Sequence, residues 1–293
     1  MLSDRAWKLV LSRKGFDSTY GGVPSPILPD GRMIPLPIPA AHDRSTLADV
    51  DAGDVDLGKL IADLTRGKHS LETRVHIDPD LDRSRPRRLP GWRPALGQTG
   101  AAQTHLESRG VGPGDVFLFF GWFREVELVD GRWRYPKRAP HLHVLFGWLE
   151  VADVLPIVTE RDRCLALHPW IADHPHVASP EHYDNPRNTL YVAPTQSRWI
   201  AGHPGGGLFR RFDPRLQLTA ADQKKRSLWR LPAWFAPGSD RPALSYHAKL
   251  SRWTRAKEHC YLQTVAKGQE FVLDARHYPD ARAWVTEVLR SGT

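Results

Sequence analysis

"DVFLFFGWFREVELVDGRWRYP", residues 115–136, decides the fold class. It opens with an unbroken apolar and aromatic run from Val116 to Phe123. A run of that length and composition predicts a strand. Asp130-Gly131 then stands between "EVEL" and "RWRYP", and Asp-Gly between two such runs predicts a tight hairpin turn. "HLHVLFGWLEVADVLPIV", residues 141–158, follows as a second long run rich in β-branched and aromatic residues. The centre of the chain therefore predicts a β-rich core.

Outward from this centre, residues 6–12 predict a first strand, and "NTLYVA" (188–193) and "KGQEFVLD" (267–274) predict short later ones. "RMIPLPIP" (32–39) is extended, because each proline pushes its predecessor toward β or polyproline geometry. Helix signals appear in "STLADVDAGDVDLGKLIADLTRG" (45–67), with Ser45 or Thr46 as cap and Leu57, Leu60, Ile61 and Leu64 at helical spacing. "QTGAAQTHLESRGV" (98–111) predicts a short helix leading into the "GPGD" turn. "YPDARAWVTEVLRSG" (278–292) predicts a closing amphipathic helix with Ala281, Trp284, Val285, Val288 and Leu289 on one face. Residues 78–94, polar, Pro-rich and strongly basic, predict an exposed loop. With no repeat and no linker, the pattern predicts one α+β, β-rich unit over residues 1–293.

No window is apolar over the length that crosses a bilayer, and the first fifteen residues lack a signal-peptide core, so a cytoplasmic protein without membrane association is expected. Cys164 and Cys260 are too few for a disulfide framework and too far apart for a metal-binding pair. The net charge is +8, and Arg outnumbers Lys by about three to one. Arg is the side chain best matched to phosphate, so nucleic acid (DNA) or a nucleotide is the expected partner, against the alternative of a merely basic, solvated surface.

The polar chemistry concentrates after the first strand, in "LSRKGFDSTYGGVPSPILPDGRMIPLPIP" (11–39). Arg13 and Lys14 can meet phosphate, and Gly21 and Gly22 let backbone approach a ligand. Asp17 can act as base or orienter, with Ser18 and Ser25 as polar positioners. The competing reading is a tight turn whose Asp and Ser bond their own backbone. It is not a phosphate-binding P-loop, since that spacing and the following helix are absent. His141 and His143 share a strand face by period-2 alternation. With His168, His174, His176, His182 and Asp184 they raise the question of a metal, but the spacing matches no dedicated motif and no metal is assigned. Gln269-Glu270 offers a late-strand carboxylate for acid–base work or ribose binding, against a solvent-facing edge residue. It is similar to the late-strand glutamate of ADP-ribosyltransferases, without a matching partner motif. "GHPGGGLFRRF" (202–212) is either a phosphate cradle or a mobile turn, and Asn188 in "DNPRNTLYV" is either turn chemistry or a cleft residue.

"GVGPGDVFLFFGWF" and "HVLFGWLEVADVLPI", within about 111–200, look like the barrel of PUA-like domains, which read nucleic acids and modified bases. The opening segment, "GDVFLFFGWF", "HVLFGWLEV", "NTLYVA" and "GQEFVLD" together resemble the third family of nucleotide-modification-associated domains. That family accompanies DNA base modification systems of phages and bacteria. The leading expectation is an enzyme acting on a nucleotide or a base in DNA by a transfer-type reaction, with other proteins of such a system as partners. The resemblance itself implies a nucleotide- or DNA-modifying role and no settled reaction. It brings no catalytic residues and no cofactor, so the cofactor stays unassigned. From the residues alone, Asp17, His141, His143 and Glu270 are the candidate catalytic groups. Arg13, Lys14, Ser18, Gly21, Gly22, Ser25 and Gln269 are the candidate binding groups. The alternatives are a non-catalytic reader of modified bases, with Trp122, Trp148 and Trp199 lining its pocket, and a nuclease or glycosylase acting on modified DNA.

Overall fold

The computed structural model describes residues 7–85, 88–179, 183–221, 225–266 and 268–292. In chain order its strands are β1 (Lys8–Arg13), β2 (Ser25–Ile27), β3 (Ala95–Gln98), β4 (Val116–Glu125), β5 (Glu127–Val129), β6 (Arg132–Arg134) and β7 (Leu142–Glu150). They continue as β8 (Asp153–Pro156), β9 (Thr189–Val192), β10 (Gly206–Leu208), β11 (Leu228–Pro232), β12 (Trp253–Arg255), β13 (His259–Gln263) and β14 (Glu270–Asp274). The α-helices are α1 (Leu57–Thr65), α2 (Gly100–Ser108), α3 (Arg161–Leu167), α4 (Pro175–Ala178) and α5 (Ala281–Gly292).

β4 organises the molecule. Phe117, Leu118, Phe119 and Phe120 are all fully buried, each large side chain worth about 1.5–3 kcal/mol on removal from water. One edge of β4 pairs antiparallel with β7, and the other pairs in parallel with β1, Leu9 opposite Val116 through Arg13 opposite Phe120. The sheet runs β10-β7-β4-β1-β14, with β2 also on β4. β2 lies along the same edge as β1 but further on, Ser25 opposite Phe123. The chain thus leaves the sheet after Arg13, loops through residues 14–24 and rejoins the same edge. Two three-stranded sheets, β11-β13-β12 and β3-β9-β8, pack around this one.

The PUA-like barrel is not formed: among the described residues the main sheet is open, ending in β10 and β14, which do not pair with each other. Closure would need hydrogen bonds between these two edges. Instead the β14 edge is occupied by Ser245, whose N–H donates to the Val272 carbonyl at 2.9 Å while its Oγ accepts from Val272 N–H at 2.8 Å. The mixed α+β class is as the sequence predicts.

The hairpin forms as read, with both Asp130 (φ 51°) and Gly131 (φ 73°) left-handed, as a two-residue primed turn requires. The helix expected over 45–67 is shorter. Residues 47–49 make a single 3-10 turn, Gly53 at φ 64° breaks the run, and α1 begins only where Asp56 Oδ1 accepts from Lys59 N–H at 2.9 Å. The closing helix α5 buries Ala281, Val285, Val288 and Leu289, while Trp284 packs edge-on against Phe235. Among the described residues no helix is long and apolar enough to cross a membrane. Cys164 and Cys260 are both buried free thiols.

Candidate functional site

Strand alternation at the end of β1 sends neighbouring side chains to opposite faces of the sheet. Ser12 faces one side with its partner Glu270. Arg13 faces the other, its guanidinium 5.8 Å from the ring centres of both Phe120 and Phe271. Two polar clusters result, one on each face.

On the Arg13 face lies a cavity of about 520 Å³ lined by Arg13, Lys14, Asp17, Ser18, His141 and His143 among others. Trp122, Lys225 and Arg226 complete its polar wall. Arg13 donates to the carbonyls of Ala266 (2.8 Å) and Val265 (3.1 Å), and its buried Nε has no partner. Arg226 lies over the Trp122 ring at 4.2 Å. Trp122 donates its indole N–H to His141 Nδ1, and Trp229 donates to His143 Nδ1, both at 2.9 Å. An indole N–H can only donate, so each histidine holds a lone pair at Nδ1 and, when neutral, its proton at Nε2. Burial, then Arg13 and Arg226, hold His143 well below the usual imidazole range. Burial, then Arg124 and Arg226, push His141 the same way. Both rings are therefore neutral near pH 7 and sit among fixed cations.

The remaining assignments divide. Asp17 lines the cavity, but its Oδ1 accepts from Thr19 N–H (2.7 Å) and Tyr20 N–H (2.6 Å), the turn chemistry of the competing reading. Its charge is felt by both Arg13 and Arg226. Ser18 is exposed at the rim. Ser25 is buried away from the cavity, its Oγ accepting from Leu36 N–H at 3.0 Å. Gly21 and Gly22 shape the loop and are not among the residues lining the cavity: both have positive φ, and a Cβ on Gly21 would lie 2.2 Å from the Phe16 ring. Gln269 is exposed, and its carbonyl accepts from Arg13 N–H. Trp148 and Trp199 are core residues, not pocket walls. Gly205 and Gly206 serve close packing, since a Cβ would sit 2.4 Å from the Pro194 ring and 2.9 Å from the Trp148 carbonyl respectively, while Gly207 faces open space. The expected basic arm folds inward: Arg88 forks onto Asp80, Arg85 approaches the same carboxylate, and Arg210 reaches across to Asp82. Pro86 and Arg87 lie outside the described residues.

Glu270 is not in the cavity. On the opposite face its Oε1 accepts from Gln98 Nε2 (2.7 Å) and Ser12 Oγ (3.1 Å), and Oε2 is buried without a partner. Lys14 Nζ lies 3.3 Å from Glu270 Oε1 and 4.0 Å from Asp78 Oδ2, linking Glu270 to a second cluster. Asp78 and His76 stand on one extended segment, and His174 and His176 at the start of α4. His76, Asp78 and His176 bring one ligand atom each within 4.8 Å of the others, a set that could hold a metal ion. Burial works to raise the Asp78 carboxyl, but His174, Lys14 and His176 outweigh it and hold the group well below the carboxylate range. Burial pushes His176 down to about 3 against the opposing pull of Asp78. Gly97 makes room here, since a Cβ would meet the His176 ring at 2.3 Å.

Sequence reasoning picked out His174, His176 and Asn188 but missed His76 and Asp78, having begun the exposed loop at Asp78. The readable signal was "VHIDP": in extended chain, residues two apart share a face. His182, grouped with these histidines by sequence, lies outside the described residues.

No curated protein and no solved structure matches the chain. A family model described as nucleotide modification associated domain 3 matches residues 8–274. That span runs from the first residue of β1 to the last of β14 and includes every residue of both clusters, so the chain belongs to the nucleotide modification associated domain 3 family, whose name places it in nucleotide modification.

Proposed function

We propose that this protein is an enzyme that modifies a nucleotide, or a base within DNA, held in the cavity at the end of β1. The observation that carries the reading is the grouping of Arg13, Arg226, Trp122, His141 and His143 around one space of about 520 Å³. That volume is within the usual range for small-molecule sites. Lys225 and Arg226 offer charge-assisted hydrogen bonds to phosphate. The Trp122–Arg226 pair offers a flat stacking surface for a base. His141 and His143, neutral with the proton on Nε2, polarise a carbonyl or exocyclic group without adding charge. Asp17 holds the opposing anion. Glu270 acts on the site only through Lys14, and the reaction class is a group transfer to the bound base.

The rival is a reader of modified bases, which needs the stacking surface and cations but no neutral imidazole pair. Nucleosides from DNA of cells expressing the protein with its genomic neighbours, measured by mass spectrometry, separate the two. A new nucleoside present with the wild type and absent with a folded, abundant His141→Gln variant is the expected result. No new nucleoside, with binding to pre-modified DNA retained by His141→Gln and lost by Trp122→Ala, would overturn the enzyme and leave the reader.

A further inference from the structure

The cluster on the far face of the sheet has an organisation that nucleotide binding does not explain, and hydrogen bonds assign each of its imidazole tautomers. His76 Nδ1 lies 2.7 Å from Asp43 Oδ2, and the Asp43 side chain is 1% exposed. A carboxylate there accepts, so Nδ1 carries the proton and the Nε2 lone pair is left over. His176 Nδ1 lies 2.7 Å from Asn188 Oδ1. The Asn188 amide cannot be turned round, because its Nδ2 donates to the carbonyls of His176 (2.9 Å) and Tyr183 (3.1 Å). His176 therefore also donates through Nδ1 and keeps its lone pair at Nε2.

His174 is arranged the other way. Its Nδ1 accepts from His176 N–H at 3.3 Å, so Nε2 carries the proton. That Nε2 is buried, makes no well-formed hydrogen bond, and points at Asp78 Oδ1 from 3.4 Å. Asp78 Oδ1 also accepts from Gly97 N–H at 2.6 Å. One carboxylate oxygen is thus held by the Gly97 N–H and faced by the His174 ring. The other, Oδ2, is presented 3.9 Å from His76 Nε2. One nitrogen from each of His76 and His176 and one oxygen of Asp78 lie within 4.8 Å of one another, and among the described residues no hydrogen bond engages either Nε2. Lys14 answers only part of the charge, because it lies closer to Glu270 than to Asp78.

We propose that His76, Asp78 and His176 form a mononuclear site for a divalent first-row transition metal ion, with Asp43 and Asn188 as its outer shell. Two nitrogens and one carboxylate oxygen suit zinc, iron(II), cobalt(II) or manganese(II) better than the oxygen-seeking magnesium or calcium. Three protein ligands leave coordination positions open, the arrangement of catalytic rather than closed structural sites. Acceptors behind each ligating imidazole are the usual means of fixing its tautomer and raising its basicity. Bond lengths of about 2.0–2.2 Å set ligand atoms roughly 3–3.6 Å apart, so the triad tightens slightly on binding. The side chain of His76, 13% exposed, marks the route of entry. The site is independent of the nucleotide cavity and stands or falls without it.

The test uses the full chain, stripped with chelator and titrated with cobalt(II). Wild type is expected to take up one equivalent with the visible absorption of nitrogen- and oxygen-ligated cobalt. Asp78→Asn and His176→Gln should lose it, Asp43→Asn should weaken it by about 10–100-fold, and the surface variant His277→Gln should keep it. A wild-type-only reading guards against variants that do not fold. Proton spectra of the cobalt-loaded protein should show two paramagnetically shifted, exchangeable imidazole N–H signals, from His76 and His176, both bound through Nε2. No stoichiometric uptake by wild type, an Asp78→Asn variant that keeps the full equivalent, or any other number of shifted N–H signals would overturn the proposal.

Discussion

Lowering the pH from 7 to 5 should destabilise this protein steeply, well before its carboxylates titrate. His143 and His247 are the cause, together with the buried His176. The His143 and His247 rings are buried, and each has a nitrogen that accepts from an N–H: His143 Nδ1 from Trp229 and His247 Nε2 from Val265 N–H at 3.2 Å. Protonation would set two N–H groups head to head in a dry site. Burial pushes His247 down to about 4, although the Ser245 carbonyl on its Nδ1–H pulls the other way. His143 is held well below the usual range by burial and two arginines. Since the folded values lie below the unfolded one, the unfolded chain binds the extra protons. Stability is then complete above the unfolded pKa near 6.5 and is lost as the pH falls below it. Each unit costs about 1.4 kcal/mol per histidine, so at pH 5 His247 alone contributes about 2 kcal/mol of loss, and His143 adds to it in the same direction. For a chain of this size the His247 share alone lowers Tm by about 4 °C. Thermal unfolding should be followed by circular dichroism at pH 7, 6 and 5 in the presence of chelator. The perturbation is His247→Gln, whose amide can serve both hydrogen bonds and cannot titrate. The variant should unfold with a pH slope shallower by about 1.4 kcal/mol per unit. A flat wild-type profile, or an unchanged slope in His247→Gln, would refute the reasoning.

Three further outcomes are expected. Lys14→Met leaves Asp78 and Glu270 as buried carboxylates facing no cation and should lower stability by about 3–5 kcal/mol in urea. Adding Glu270→Gln should recover part of that loss, and strict additivity of the two changes would refute the link through Lys14. Gly21→Ala forces a side chain into φ 85° and against the Phe16 ring, costing about 1–3 kcal/mol. An unchanged Tm would show that the loop is not held as described. Trp122→Ala should weaken nucleotide binding by about 1–3 kcal/mol, measured by calorimetry, and equal affinity would remove the base from that ring.

What the sequence made legible was what depends on neighbours along the chain. Asp130-Gly131 reads as a turn because left-handed φ is a property of two residues. His141 and His143 read as one face because alternation is local, and both do line one cavity with Arg13 and Asp17. Glu270 was harder, because its face follows from a pairing across 258 residues with Ser12. That pairing places it with Ser12 and away from Arg13. The open sheet was out of reach for the same reason, since closure depends on whether two distant edges meet. Gly53 was visible, but the apolar spacing around it concealed that one positive φ would divide the expected helix. Asp78 was lost because composition was averaged over 78–94, although its carboxylate is buried and Arg85 and Arg88, which follow it, turn onto Asp80.

The position of both clusters follows from one feature of the sheet. β1 runs parallel to β4 and stops at Arg13, while β4 continues and is met again only by Ser25. Over the gap, Gly121 and Trp122 of β4 have no partner strand on that edge. Lys14 fills it through backbone, its N–H donating to the Phe120 carbonyl at 2.9 Å and its carbonyl lying 3.1 Å from where a Gly121 Cβ would be. In open sheets with parallel pairs, ligands gather beyond the carboxyl ends of strands, where the connections part. Here the parting falls within one edge, so side chains just before it project to both faces. Arg13 enters the cavity, Ser12 holds Glu270, and Lys14 reaches the carboxylates while its own residue lines the cavity. A single short loop therefore controls the electrostatics on both sides of the sheet. That is the physical reason for placing so much polar and glycine-rich sequence directly after the first strand.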